Sequence, residues 1–223
     1  MPIDPRADAP SDRVALRRAP AKGAYDRATI DAILDATPHC HLGYVLPDGQ
    51  PIVVPTLQAR IDDHVWVHAS SGGKLALNAP GGWPVCLTVT LIDELVIARS
   101  GFHHSANHRS VVVLGAAELV TDEDERLAAL EAITDHVAPG RWAELREPTY
   151  KELLATAVVR LPLTEASAKV RTGPPVDDER DVDPDVWAGV VPLRSGFGTP
   201  VAAPDVDPTT PVPASIQRLV DGD

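Results

Sequence analysis

The densest chemistry in this 223-residue chain lies in two short runs. The first is His68-Ala69-Ser70-Ser71-Gly72-Gly73-Lys74. An apolar, β-branched stretch ends there, hydroxyls and glycines follow, and a lysine opens what reads as a short helix. Backbone N–H groups at such a junction bind anions, glycines let a phosphate come close, and the hydroxyls and ammonium add donors. The pattern suits a mononucleotide phosphate; it also occurs as a plain β-α turn with an exposed lysine. It is not a Walker A loop, because G-x-x-x-x-G-K-[ST] is absent.

The second run is Phe102-His103-His104-Ser105-Ala106-Asn107-His108-Arg109-Ser110. His104 and His108 are spaced to share a metal on a helix. The run leads straight into Val111-Val112-Val113, however, which argues for a strand. No H-E-x-x-H occurs, and no metal site is expected. A polar loop and a polar cofactor lining remain as readings. His39 and His41 share one face of a strand and His64 and His68 another, by even spacing. Cys40 points away from its histidine neighbours, toward a core. No G-x-S-x-G elbow occurs, which weighs against a hydrolase. The carboxylates of residues 122–125 suit a helix N-terminus. Trp187-Ala188-Gly189-Val190-Val191-Pro192-Leu193 is an apolar island in an acidic, Pro-rich tail. Trp187 suits stacking on a flat ring or simple anchoring of the tail.

These residues need elements to position them. Prolines 2, 5, 10 and 20 make residues 1–24 an extended arm. Ile30, Ile33 and Leu34 lie on one face of a helix over 26–36, ended by Pro38. Strands follow at 40–46, 52–61 and 64–69, joined by Pro47-Asp48-Gly49-Gln50 and by Asp62-Asp63. A short helix starts at Lys74. Residues 85–90 and 95–98 read as two strands joined around Ile92-Asp93-Glu94, and 109–120 as another. Thr121 caps a helix with Leu127, Leu130, Ile133 and Val137 as its buried stripe. A helix over 149–154 and strands over 156–163 and 166–172 complete the set. The expectation is an α+β chain, mainly β, with a small barrel over 25–173 and helices outside it. Residues 174–223 form a Pro/Asp-rich tail with an ordered segment around 187–193.

The bulk composition excludes several classes. Twenty basic against 32 acidic residues leave a net charge of −12, which repels nucleic acid and anionic membranes. Arg13, Arg17, Arg18 and Lys22 form a short basic patch in the arm. Two cysteines outside any C-x-x-C pair, a Pro-rich start without an apolar leader, and no run near the ~18 residues of a membrane span point to the cytoplasm.

Four motifs together carry a resemblance: residues 68–74; residues 102–113; Ala168-Lys169-Val170-Arg171-Thr172-Gly173-Pro174-Pro175; and residues 187–193. In this order the chain resembles the pyridoxamine 5′-phosphate oxidase-like, flavin-nucleotide-binding family, in its nitroimidazole-reductase-like branch, from about residue 24 to 193. The resemblance implies a six-stranded split β-barrel that forms a homodimer, with FMN between the subunits. It implies phosphate donors at Ser70, Ser71, Gly72 and Lys74. It implies a flavin lining from Val54, Pro55, Thr56 and His68, with His68 catalytic beside the substrate. Asn107, Arg109 and Ser110 are expected to close the site, with Trp187 coming from the second subunit. Family members usually carry Tyr where this chain has His108; histidine there could ligate iron, and some relatives with this barrel bind heme or a deazaflavin.

The resulting expectation is an FMN-dependent oxidoreductase that takes electrons from NAD(P)H and acts on a small molecule. The alternative is a non-catalytic flavin- or heme-binding module, a sensor or store. A true pyridoxamine phosphate oxidase needs a further basic pocket, and beyond Lys169 and Arg171 no late Arg/Lys cluster is visible.

Overall fold

The computed structural model of the chain describes residues 8–183 and 185–222. The first seven residues of the expected arm, and Pro184 and Asp223 of the tail, lie outside these.

Nine strands form one antiparallel sheet: β1 (Gly23–Ala24), β2 (His39–Val45), β3 (Pro51–Ile61), β4 (His64–Ser70), β5 (Trp83–Ile97), β6 (Ser105–Leu119), β7 (Thr156–Pro162), β8 (Ala166–Arg171) and β9 (Gly189–Pro192). Their order is β1-β8-β6-β7-β4-β3-β2-β5-β9, and β5 also pairs with β6. That extra pairing closes β5-β2-β3-β4-β7-β6 into a six-stranded barrel. β6 does this by changing partner: His108 to Val113 pair with β8, whereas Glu118 and Leu119 pair with β7. β8 and β1 hang on one side of the barrel and β9 on the other. This is the split barrel the sequence led us to expect.

Alternating residues sort the wall into two faces. Cys40, Leu42, Val65, Val67, Leu87, Val89, Val111, Val113, Val159 and Leu161 fill the interior. Helix α1 (Arg27–Asp35), capped by the Asp26 carboxylate on the Thr29 N–H at 2.8 Å, adds Ile30, Ile33 and Leu34 to that cluster. Tight turns set the register. Gly49 at φ 88° closes the β2–β3 hairpin, and Asp62 at φ 49° closes β3–β4.

Helix α2 (Lys74–Asn78) follows β4, and α3 (Glu123–Val137) lies outside the barrel. Ala129 packs there with Trp66, Val120 and Val158. The cap of α3 is Asp122, not Thr121, because its carboxylate accepts the Glu125 N–H at 2.9 Å. The buried stripe is also narrower than expected: Ala129 and Ile133 are buried, and Val137 is exposed. Helix α4 (Tyr150–Ala155) starts with a Thr149/Glu152 capping box.

Three expectations change. β5 is one continuous strand, because a bulge at Asp93 absorbs the polar interruption. The arm is not free: Val14 is buried, Arg13 pairs with Glu165 at 2.8 Å, and β1 joins β8. The tail ends in a helix, α5 (Ala214–Asp221), which no sequence signal had flagged. Among the described residues, no helix is long and apolar enough to cross a membrane.

Candidate functional site

β4 ends where the first polar run begins. The Gly73 N–H donates to the Ser70 carbonyl at 2.8 Å, and the Ser71 N–H to Ala155 at 2.9 Å. These two bonds hold a tight loop before α2, whose N-cap, Gly73, brings no side chain to the first amides. Ser70, Ser71, Gly72 and Lys74 are exposed. Among the described residues, the Ser70, Ser71 and Lys74 side chains make no hydrogen bond or ion pair. The donors expected to take a phosphate are therefore together and unengaged.

Two residues before Ser70 on the same face, His68 enters a different environment. With Leu57, Leu130, Ile133, Thr134 and Val137 it lines an apolar cavity of about 270 Å³ between the wall and α3. Its Nδ1 is buried and has no hydrogen-bond partner. At Val137 this cavity adjoins a larger one of about 560 Å³, reached by His39 and by Phe197 of the tail. The helix above is fixed by His136, which sets Nδ1 2.8 Å from the Gln58 carbonyl oxygen and Nε2 3.0 Å from that of Asp35.

Val54, Pro55 and Thr56 do not share a face. Leu42 opposes Val54 and Cys40 opposes Thr56, so both look into the barrel. Pro55 opposes His41 and looks out. Register then extends a row across the outer wall: Pro55, His41, Thr88, Val112 and Ser167. A second row runs through Thr90, Ser110 and Lys169, and a third through Ile92, His108 and Arg171. Burial pushes the interior Cys40 thiol up to about 12 and raises the half-buried Cys86.

Of the group expected to close the site, Ser110 sits on this outer face. Its hydroxyl reaches the Lys169 carbonyl only weakly, at 3.4 Å. Asn107 and Arg109 have internal partners. Asn107 is 1 % exposed; its amide donates to Glu94 at 2.5 Å and to the Gly173 carbonyl at 3.0 Å, and accepts from Arg171. Arg109 makes a two-pronged pair with Asp93 at 2.8 and 3.1 Å, which holds that carboxyl below its ordinary range. His104 rests its Nδ1 2.9 Å from the Ser100 carbonyl oxygen, and His103 lies 3.6 Å from Asp178. Trp187 is 64 % exposed. Its indole lies over Gly189, where a Cβ would come within 2.9 Å of the ring.

Sequence reading singled out Lys169 and Arg171 but missed their company. His108 stands directly across from Arg171 and Ser110 across from Lys169, while Lys169 faces Gly23, next to Lys22. Desolvation, then Lys169, Lys22 and Arg171, push His108 below its ordinary value, with Asp93 opposing. The signal was present only as β-alternation in Ser167, Lys169 and Arg171; the arm strand that brings Lys22 is two residues long.

A closed antiparallel barrel with a polar outer face, side strands and an anion-ready β-α turn defines the flavin-nucleotide split-barrel class. The family profile described as pyridoxamine 5′-phosphate oxidase matches residues 26–170, and the chain belongs to that family. The flavocytochrome Anf3 from Azotobacter vinelandii is 44 % identical, with 95 % of this chain and 98 % of that one covered and a TM-score of 0.88. The FAD and heme binding protein from Mycobacterium smegmatis is 36 % identical, with 89 % and 97 % covered and a TM-score of 0.83. A protein assigned to 5-nitroimidazole antibiotic resistance in Bacteroides thetaiotaomicron shares the fold, at 22 % identity, 66 % and 86 % coverage and a TM-score of 0.56. No functionally curated protein matches the chain.

Proposed function

We propose that this chain is a flavin-binding redox protein that also holds a heme, taking electrons from NAD(P)H and passing them to a small molecule. The observation that carries the proposal is His68: an imidazole whose buried Nδ1 lacks a partner, at the mouth of an apolar cavity, two residues from an unengaged set of anion donors. Near full-length likeness to a flavocytochrome and to an FAD and heme binding protein supports the pairing of the two cofactors.

The residues supply the donors and lining that both groups need. The phosphate common to FMN and FAD would lie against Ser70, Ser71, the Gly72 backbone and Lys74. These supply hydroxyl donors, close backbone approach and a neutralising charge in a chain of net charge −12. The outer face at Pro55 and His41 offers a flat bed for the ring, with Val54 and Thr56 bracing it from inside. Leu57, Leu130, Ile133 and Val137 would exclude water from a heme edge, and His68 would offer an imidazole nitrogen to its iron. The heme reading moves from His104 and His108 to His68, because His104 is exposed and hydrogen-bonded and His108 stands among cations. A bound flavin supplies hydride and single-electron chemistry, and a bound heme supplies single-electron chemistry at iron.

The test is the absorption spectrum of the purified protein with added FMN, FAD and hemin. A flavin band that NAD(P)H bleaches, and a Soret band lost in His68→Ala but kept in His104→Ala and His108→Ala, are expected. A flavin that NAD(P)H leaves oxidised would favour the storage or sensor reading. A protein that takes up neither cofactor would overturn the proposal.

A further inference from the structure

Lys169 and Arg171 alternate on the outward face of β8, opposite Ser110 and His108, and Lys22 immediately precedes β1, whose Gly23 pairs with Lys169. We infer that this patch on β1, β8 and β6 is a second anion site, which takes the diphosphate of a dinucleotide. The inference rests on the redox reading only for which dinucleotide is bound; the anion site stands on its own geometry.

Register builds the patch. Arg171 is the cross-strand neighbour of His108, Lys169 of Ser110, and Gly23 of Lys169. Strands lie about 4.8 Å apart and same-face residues about 7 Å apart along a strand. The five positions therefore cover roughly 10 by 7 Å, room for two linked phosphates. Among the described residues, no carboxylate pairs with Lys22, Lys169 or Arg171, although the chain carries 32 acidic residues. Asp93, the carboxylate that senses His108, is occupied by Arg109. His108 keeps a buried Nδ1 without a partner. Lys169, Arg171, His108 and Ser110 thus share one outward face by register, with Lys22 next to the strand that pairs with Lys169; Arg171 also donates to Asn107, and the His108 Nδ1 is buried and unsatisfied, an arrangement that an anion relieves.

The patch is separate from Ser70–Lys74. The shorter way round the closed sheet from β4 to β8 runs through β7 and β6, three strand steps or roughly 14 Å of wall. No single phosphate of one chain touches both. A dinucleotide carries two linked phosphates; in FAD one of them is the phosphate already assigned to Ser70–Lys74, so the dinucleotide that fits a separate site is NAD(P)H.

The probe is inorganic pyrophosphate, titrated into the full chain by calorimetry at moderate salt. The variants are Lys22→Gln/Lys169→Gln and, as a milder second variant at an exposed position, Lys22→Glu. Pyrophosphate affinity is expected to fall roughly tenfold or more in the double variant and in the same direction in Lys22→Glu. Lys151→Gln, which removes an exposed lysine of α4 outside both sites, should leave this binding in place. Wild-type protein that ignores pyrophosphate, or variants that bind it as tightly, would overturn the site. The source is separated by titrating FAD, FMN and NADPH. Loss for NADPH with FAD and FMN unchanged is expected; loss for FAD but not FMN would overturn the assignment to the electron donor and the separateness of the two sites. No loss for any of the three overturns the dinucleotide assignment. A wild type that binds pyrophosphate through Lys22 and Lys169 but no flavin removes the redox reading and leaves the anion site standing.

Discussion

Asn107 joins three parts of the chain through one amide: Glu94 on β5, the Gly173 carbonyl after β8, and Arg171. Replacing it with Ala leaves the half-buried Glu94 carboxylate and the Gly173 carbonyl without their donor and Arg171 without its acceptor. The expected loss is about 1–2 kcal/mol, read as a lower urea midpoint with an unchanged slope. His108 gives a pH signature. Its folded value lies below the ordinary one, so the unfolded chain binds the extra proton first as pH falls below about 6.5. Stability should therefore drop as pH falls through that range, and His108→Gln should flatten the acid side of a melting-temperature profile. A profile unchanged by the substitution would contradict this. The polar density of residues 103–110 was plain in the sequence, but the roles within it were not. Nothing local to Asn107 or Arg109 says that Glu94, Gly173 and Asp93 wait across the fold, and pattern alone treats an internal pair and a ligand donor alike.

At the scale of elements, alternation of apolar residues revealed the barrel strands and the α1 face, because burial on one side imposes that period. It divided β5 wrongly for a physical reason. Asp93 and Glu94 look like a turn, yet a bulge lets the Asp93 side chain reach Arg109 while its carbonyl accepts the Leu193 N–H at 2.9 Å, tying β9 to β5. Helix α5 was missed because its anchor is distant: Ser215 donates through its backbone N–H and hydroxyl to Glu144 at 3.0 and 2.5 Å. Glu144→Ala should free α5 and raise amide exchange in residues 214–221. The β9 junction has its own test. In Gly189→Ala the new methyl meets the Trp187 indole, which must swing aside. A shift in tryptophan emission is expected with little change in melting temperature, since the indole is already mostly exposed. Unchanged emission would mean the ring does not rest on that glycine.

The whole molecule exposes more surface than a chain of its size retains when it stands alone. Its accessible area is 13800 Å², whereas a compact monomer of this mass exposes roughly 9800 Å². Part of the excess is the extended tail over residues 194–212, and part is the outer wall. Val53 is 66 % exposed on the Pro55 side of that wall, with Val45 and Ile92 also exposed on the same sheet. Two chains of net charge −12 repel at long range, so apolar burial has to supply the attraction. A homodimer would need about 800 Å² from each chain, well within the excess. It would set the second copy against Pro55 and His41 and let that copy's Trp187 approach the proposed ring bed. Light scattering should give twice the 23.7 kDa chain mass, rising in stability with salt as repulsion is screened. Val53→Glu/Ile92→Glu places like charges on both sides of the contact and should yield a folded monomer. If the flavin lies between subunits, that monomer should also lose flavin even though Ser70, Ser71 and Lys74 are untouched. A monomer that holds flavin as tightly as the parent would place the cofactor within one chain and leave the exposed wall to another partner.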